Sequence, residues 1–172
     1  EGKGFSVNIP LLPNSDDEIF WYAFHETVPP LLACFKPDVL VTQLGVDTFH
    51  TDPLTTLSVT TNGFCKVIEA LKQLSPGKWV ALGGGGYDIL HVPRAWTLAW
   101  AIMNEIELPD WLPDQYWKLI QNMAECNGNR NLRDAPLQAK QTRKQKNFKA
   151  LENTLNYLRE HQFKIICGTD FT

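Results

Sequence analysis

Cysteine, histidine and long apolar runs are all scarce in this 172-residue chain, and each shortage narrows what the protein can be. No apolar stretch approaches the roughly 20 residues that cross a membrane as a helix. The four cysteines lack the CxxC spacing of metal-binding and redox pairs, and the four histidines are isolated from one another. A membrane-spanning protein and a cysteine-clustered metal protein are therefore not expected.

The remaining composition is that of an ordinary globular domain. Hydrophobic residues make up 44% and charged residues 20% of the chain, whose length suits one domain with a real core. The chain begins at Glu1 with neither an initiator methionine nor a signal-peptide pattern, so a fragment of a longer protein is expected. All four cysteines stand among apolar residues and are predicted to be mostly buried free thiols in a reducing compartment. A cytoplasmic location follows from that prediction.

The net charge of −3 conceals an uneven distribution. Residues 1–129 hold 7 lysines and arginines against 15 acidic residues, whereas residues 130–149 hold 7 against 1. A basic block of this size is able to contact nucleic acid or an acidic partner. It contains one aromatic residue, Phe148, and no recognised nucleic-acid fold, which favours the alternative of a solvated helix face or a mobile linker. A nucleic-acid partner is therefore not expected.

Hydrophobic periodicity and helix-stop signals predict alternating strands and helices. The predicted strands cover residues 5–9, 38–44, 78–82 and 165–167. The predicted helices begin at Asp16 or Asp17, at Pro29-Pro30, at the cap Asn62, at Pro93 and at about Lys140. This order implies βαβ units. The predicted fold class is accordingly α/β, with a parallel sheet flanked by helices.

Two of the predicted strands end in loops that carry candidate functional residues. Asp47 comes shortly after the strand at 38–44, and Tyr87 follows the four glycines at 83–86. Four glycines give up side-chain contacts and conformational entropy, which is tolerated where the backbone passes close to a ligand or to another segment. Because the carboxyl ends of parallel strands meet at one edge of a sheet, Asp47 and Tyr87 are expected to converge there.

Each of these loops also has an interpretation without chemistry. The glycine run matches neither nucleotide-binding fingerprint, since the third glycine of GxGxxG would fall at Asp88 or Ile89 and no Gly-Lys-Ser/Thr follows. A tight strand-to-helix turn is the alternative. Asp47 is a candidate metal ligand or acid/base group because it follows a buried strand, whereas loop carboxylates commonly cap helices or form turns.

Two motifs of the chain closely resemble one family. They are Gln43-Leu44-Gly45-Val46-Asp47-Thr48 with Asp52-Pro53-Leu54, and Leu82-Gly83-Gly84-Gly85-Gly86-Tyr87 with Arg94-Ala95-Trp96. Together they resemble the carboxyl half of the zinc-dependent histone deacetylases. The amino-acid sequence of the first residues is most similar to that of the bacterial acetoin-utilisation deacetylase-like members. The resemblance extends from about Lys3 to about Trp117.

This resemblance implies part of an arginase-deacetylase fold with a divalent metal at the carboxyl edge of the sheet. Asp47 matches a metal-binding aspartate of the family. Tyr87 matches the tyrosine whose hydroxyl donates to the substrate carbonyl and to the oxyanion. Leu54 matches a wall of the acyl-lysine channel, and Gly85 lies in the glycine loop that lines it. The implied cofactor is Zn²⁺, with Fe²⁺ as an alternative, and the implied substrate is acetylated lysine or a small acetylated amine.

Two motifs of the family are missing from the sequence. There is no His-His pair for acid/base work and no Asp-x-His to supply further metal ligands. In the family both precede the region matched here, so the isolated chain is expected to be inactive and able to exist without metal. The alternative function is a metal-free α/β interaction module derived from this fold.

The resemblance also sets expectations for organisation and partners. Residues 1–129 are predicted to form the carboxyl-terminal part of a deacetylase-like domain, and residues 130–172 a basic segment with a carboxyl-terminal helix. The expected macromolecular partner is the missing amino-terminal half of the domain. A truncated sheet also exposes an apolar strand edge, so self-association is expected as well.

Overall fold

The computed structural model describes residues 2–123, 126, 129–137 and 141–168. Its elements in chain order are α1 (Asp17–His25), α2 (Val28–Phe35), β1 (Leu40–Leu44), α3 (Thr61–Leu74), β2 (Trp79–Gly83), α4 (His91–Met103), α5 (Asp114–Ile120), α6 (Gln141–Leu158), a π-helical turn (Arg159–Phe163) and α7 (Lys164–Cys167). Helices flank a pair of strands, as the alternating pattern predicted. Within these residues, no helix combines the length and the apolarity needed to cross a membrane.

The two strands lie side by side and run parallel. Leu40 stands opposite Trp79, and Leu44 stands opposite Gly83. The connection between them contains α3, so the pair is the βαβ unit that the sequence predicted. The loops that follow the two strands therefore begin at the same edge of the sheet.

The main core lies between the sheet and the helices α3 and α4. Its buried helical members recur at helix spacing and are Phe64, Val67, Ile68, Leu71, Ala95 and Ala99. Two further members, Val46 and Phe49, belong to the loop after β1 and are 2% and 0% exposed. Because these two side chains are buried on either side of Asp47, the loop that carries Asp47 is held from inside the core.

Side-chain oxygens start α1 and α3. The carboxylate of Asp16 accepts from the backbone N–H of Ile19 at 3.1 Å, within the predicted pair of caps. The cap of α3 is Thr60, whose hydroxyl oxygen accepts from the backbone N–H of Asn62 at 3.1 Å. The predicted cap Asn62 is therefore wrong, because this residue lies inside the helix and donates to the true cap.

The basic helix α6 packs against α1. Leu151 and Leu155, which are 2% and 0% exposed, contact the apolar stripe of α1. At the edge of this contact, the ammonium group of Lys144 donates to the carboxylate of Glu18. From residue 141 onward the basic segment is helical, which agrees with the alternative of a helix face and not with that of a mobile linker.

Two strands predicted near the chain ends are wrong. Residues 5–9 form no strand, although Val7 and Ile9 are half-buried between exposed neighbours. Their alternation reflects packing of an extended segment that has no neighbouring strand to pair with among the described residues. Residues 165–167 belong to α7, which continues the helix before it.

The cysteine prediction is wrong for two of the four side chains. Cys34 on α2 and Cys167 on α7 form a disulfide across a sequence separation of 133 residues. Cys65 and Cys126 are free thiols and are partly exposed. Burial raises the pKa of the Cys65 thiol to about 11, so this thiol is a poor nucleophile at neutral pH.

Candidate functional site

The loops after β1 and β2 meet at the carboxyl edge of the sheet. The backbone N–H of Val46 donates to the carbonyl oxygen of Gly85 at 2.7 Å, which joins the two loops directly. A Cβ atom on Gly84 would lie 2.7 Å from the Cα atom and 2.8 Å from the nitrogen of Gly45. Only glycine permits this approach of two backbones. Close packing against the loop after β1 therefore explains why glycine is needed in the run.

Asp47 lies against the glycine loop. A Cβ atom on Gly85 would overlap the Asp47 carboxylate, so the glycine leaves the space that the carboxylate fills. The side chain is half-buried, and among the described residues it forms no hydrogen bond or ion pair. It therefore neither caps a helix nor closes a turn, and its oxygens are free to accept from a cation or a donor.

Asp52 fixes the two loops relative to each other. Its carboxylate is buried, with Asp52 only 6% exposed. Oδ1 accepts from the backbone N–H of Leu54 at 2.9 Å, and Oδ2 accepts from the backbone N–H of Tyr87 at 2.7 Å. One buried carboxylate thus positions the backbone of the predicted channel residue and of the predicted catalytic tyrosine. Charge-assisted bonds of this kind are stronger than those between neutral groups.

The side chains of these two anchored residues are exposed. Tyr87 is 55% and Leu54 is 71% exposed. Within the described part of the chain, the Tyr87 hydroxyl has no hydrogen-bond partner. Tyr87 borders a cavity of about 640 Å³ whose lining continues to His50, His91 and Leu112. An anchored backbone with a free hydroxyl donor is suited to reaching a bound molecule.

A second polar group, the His91 cluster (Asp88, His91, Arg94 and Asp134), lines the same cavity. Nδ1 of His91 lies 2.9 Å from Oδ2 of Asp88, and Nε2 lies 3.1 Å from Oδ1 of Asp134. Arg94 donates to that Asp134 oxygen at 2.8 Å and to the carbonyl oxygen of Leu132 at 3.0 Å. The cluster therefore ties the segment around Leu132 to the first turn of α4.

Both carboxyl groups of the His91 cluster have a lowered pKa. Burial alone raises the pKa of Asp134, but hydrogen bonding from His91 and the charge of Arg94 outweigh it. Burial likewise opposes ionisation of Asp88, whose pKa is nevertheless lowered by a hydrogen bond from Thr51 and by backbone N–H donors. Both groups are therefore ionised at neutral pH, and their charges are met by partners within the cluster.

The described residues do not form a complete metal site at this edge. In the ranges that the structure covers, no group of three or more His, Cys, Asp or Glu side chains is placed to hold a metal ion. Asp47 offers one free carboxylate, whereas the side chains of the His91 cluster bond one another. Structural and catalytic zinc sites use three or four protein ligands. This donor set alone therefore does not fit a resident metal.

The structure places the four predicted site residues along one short edge. Asp47 and Gly85 are in contact, and Leu54 and Tyr87 share Asp52 as their anchor. Their placement agrees with the sequence analysis, while their chemical roles stay predictions. Asp52 was identified only as part of a motif, because its contact with Tyr87 spans 35 residues of sequence.

Sequence analysis did not find the His91 cluster. Asp88 and His91 are three residues apart at the start of a helix, which is a spacing at which an ion pair can be recognised. The contact of His91 with Asp134 spans 43 residues and has no local signal. Of these contacts, only the pair of Asp88 and His91 at the start of α4 could have been predicted.

Comparison with known proteins relates the chain to one family. Residues 1–103 match the histone deacetylase domain. The chain is 39% identical over 132 residues to the acetoin utilization protein AcuC of Staphylococcus xylosus, and 37% identical over 131 residues to AcuC of Bacillus subtilis. Each match covers 73% of this chain, but 34% and 33% of the respective relative. The chain thus spans about a third of the length of these relatives.

Solved structures are similar over nearly the whole chain. The crystal structure of an HDAC homolog complexed with SAHA has a TM-score of 0.76 and 28% identity. The HDAC homolog from Aquifex aeolicus has a TM-score of 0.74 and 26% identity. Each superposition covers 91% of this chain and 42% of the other chain.

Proposed function

This chain belongs to the histone deacetylase family and has the arginase-deacetylase fold, and from that membership we propose that it is the carboxyl-terminal portion of a metal-dependent deacetylase. The proposed reaction is hydrolysis of acetylated lysine or a related small acetylated amine. The observation that supports it most is the meeting of two loops that present a free carboxylate, Asp47, and a free hydroxyl, Tyr87, at one sheet edge. The similarity to AcuC proteins also supports a role in acetoin utilisation.

In this proposal Tyr87 is the hydrogen-bond donor to the reacting carbonyl. Its O–H donates to the amide oxygen of the substrate and, as water adds, to the oxyanion that develops there. The bond from its backbone N–H to Asp52 supports this role, because a donor that is already positioned need not reorganise during the reaction. Loss of one such donor typically lowers kcat by about 10²–10³.

Leu54 and Gly85 are proposed to shape the substrate channel. Leu54 presents an exposed apolar side chain, and its backbone shares the anchor Asp52 with that of Tyr87. An apolar side chain there suits the methylene chain of an acetylated lysine. Gly85 adds no side chain to the loop and leaves Asp47 its place. A larger residue at Gly85 would both displace the Asp47 carboxylate and narrow the channel.

The proposed metal, zinc with iron as the alternative, takes Asp47 as one ligand in the complete protein. Other ligands and the acid/base histidines would come from the missing amino-terminal half of the domain. The 172-residue chain alone is therefore proposed to be inactive. If the complete protein also proved inactive, the alternative of a metal-free α/β interaction module would replace this proposal.

We also propose that the protein works in the cytoplasm. The disulfide between Cys34 and Cys167 weakens the original basis of that prediction, which was four free thiols. Protein isolated from cells under acid quench should be titrated with a thiol reagent after unfolding. Four thiols per chain would support a reducing location, and two would contradict it.

The deacetylase proposal can be tested in a chimera. This chain is joined after the part of B. subtilis AcuC that precedes the shared segment, and hydrolysis of an acetyl-lysine peptide and of an acetylated polyamine is measured. Activity is expected, and Tyr87→Phe should lower kcat by about 10²–10³. Tyr157→Phe is the matched control, because Tyr157 is 54% exposed on α6. A folded, metal-loaded chimera without activity would contradict the proposal.

A further inference from the structure

The disulfide of the chain joins two helices that have no buried residue. Cys34 lies on α2 and Cys167 on α7, and the bond spans 133 residues of sequence. Within these two helices, both of which the structure describes in full, no residue is buried. The two cysteines themselves are partly exposed. The covalent bond is therefore the strongest link between α2 and α7, and a reductant can approach its sulfur atoms.

The elements on either side of the disulfide are held by other contacts. Val28 and Leu32 of α2 pack against the main core. On the other side, Leu155 of α6 and Phe163 of the π-helical turn are 0% and 1% exposed. Opening the disulfide would remove none of these anchors. It would loosen only the residues that follow Phe163, which are those of α7.

The amino-terminal segment lies over the same end of the molecule. A Cβ atom on Gly4 would lie 2.6 Å from Cδ1 of Ile165, so the segment passes close to α7. The ring of Phe5 meets the ring of Phe35 edge to face, with 6.5 Å between the ring centroids. Phe5, Phe35 and Ile165 are each more than half exposed. These contacts bury little apolar surface, so they add little to the hold that the disulfide has on α7.

We propose that the bond between Cys34 and Cys167 is a reversible disulfide latch, which holds α7 on α2 when oxidised and releases α7 when reduced, while the rest of the fold stays intact. A dithiol protein of the CxxC class opens it in two steps. One thiolate attacks a sulfur atom of the latch, so that a mixed disulfide forms and the other cysteine leaves as a thiolate. The second thiolate of the reductant then displaces the remaining cysteine. The reductant becomes a disulfide, and two electrons and two protons pass to Cys34 and Cys167.

The latch and the candidate site lie at opposite ends of β1. Cys34 is on the helix that precedes this strand, whereas Asp47 is in the loop that follows it. Opening the latch should therefore leave the loops of the candidate site in place. The inference goes beyond the proposed function and does not rest on it, so an inactive chimera would leave it unaffected.

The test compares amide hydrogen exchange in the oxidised and the reduced 172-residue chain. The latch is closed with oxidised glutathione and opened with dithiothreitol without denaturant, and alkylation followed by mass spectrometry counts the free thiols. Exchange in α7 should be at least about tenfold faster in the reduced chain, whereas exchange in α3 and α4 should not change.

Two variants control this comparison. The double change of Cys34→Ser and Cys167→Ser should exchange like the reduced chain under both conditions. Cys65→Ser is the matched control and should respond like the unchanged chain. Burial raises the pKa of the Cys65 thiol to about 11, so little of it is the thiolate that takes part in exchange at neutral pH.

A purely structural disulfide would behave differently. It would be reduced only when the whole chain unfolds, so its rate of reduction would rise steeply with urea even below the unfolding transition. The latch predicts a rate that is nearly independent of urea in that range, because local opening exposes little surface. A steep dependence would overturn the inference. So would a reduced chain whose α7 exchanges as slowly as before, or a folded chain in which Cys34 and Cys167 do not pair.

Discussion

Two polar groups lie near the carboxyl edge of the sheet, and they differ in whether their members are paired. In the His91 cluster the side chains are 6–16% exposed and each of them bonds another. At the candidate site, the Asp47 carboxylate and the Tyr87 hydroxyl have no partner within the described residues. A buried charge without a partner lowers the free energy of unfolding, whereas a half-exposed charge is still hydrated and can stay unpaired until a ligand binds.

The comparison separates residues that hold the fold from residues that we propose to contact substrate or metal. Both carboxyl groups of the cluster have a lowered pKa, and contacts within the fold account for it. The unpaired group has ordinary surroundings but occupies the loop positions that the family motifs mark. Perturbed ionisation by itself would therefore have pointed to the His91 cluster and not to the proposed site. Mutations in the His91 cluster should therefore lower the free energy of unfolding more than mutations of the unpaired residues do.

The largest effect is expected from Asp134→Asn. The change leaves the guanidinium of Arg94, which is 7% exposed, without its charged partner. Loss of one member of a buried pair typically costs about 3–5 kcal/mol, so the free energy of unfolding measured in urea should fall by that amount. Asp114→Asn breaks the exposed pair with Arg130 and should cost less than about 1 kcal/mol. Equal effects of the two changes would contradict a special role for the cluster.

Acid should weaken the same cluster. Asp134 and Asp88 have folded-state pKa values below the ordinary value, so the unfolded chain binds protons at a higher pH than the folded chain does. Their stabilisation is therefore complete above the ordinary carboxyl pKa of about 3.9 and is lost as pH falls below it. The melting temperature should drop steeply below about pH 4. Asp134→Asn should flatten that dependence, and an unchanged slope would show that other groups cause it.

A smaller loss of stability is expected from Asp52→Asn. Its amide can accept from only one of the two backbone N–H groups that the carboxylate serves, those of Leu54 and Tyr87. One unsatisfied buried donor typically costs about 1–3 kcal/mol. In the active chimera the variant should also lower kcat, because the backbone of Tyr87 loses its anchor. A fall in stability with an unchanged kcat would limit Asp52 to a structural role.

The smallest effect on stability is expected from Asp47→Ala. No hydrogen bond or ion pair within the described residues depends on this carboxylate. Surface changes away from special features usually alter the free energy of unfolding by less than about 0.5 kcal/mol. A loss of several times that size in the 172-residue chain would mean that Asp47 holds the loop, and the contrast with the His91 cluster would then fail.

Much of the fold and of the site follows from local sequence patterns. The glycine run and the aspartate after β1 identified both loops, because a parallel pair must deliver them to one edge. Asp16 was predictable as a cap, since the interaction spans three residues. These features share short sequence separation or a strict geometric rule.

What the sequence did not predict depends on contacts between distant segments. The link from Asp52 to Tyr87, the contact of His91 with Asp134 and the disulfide from Cys34 each join parts of the chain that no periodicity relates. The error at residues 5–9 has the opposite origin, since a correct local alternation lacked a neighbouring strand. Local patterns specify an element, and only the folded chain supplies its partner.

We propose that this chain carries part of a metal-dependent site, with Asp47 as a ligand whose carboxylate has no partner among the described residues. The most direct measurement is the zinc and iron content of the 172-residue chain purified without chelators, beside the Asp47→Ala variant. We expect no stoichiometric metal in either protein, and metal in the chimera that Asp47→Ala removes. Stoichiometric metal in the isolated chain, lost in Asp47→Ala, would contradict it, because a complete ligand set would then exist within this chain or between its copies.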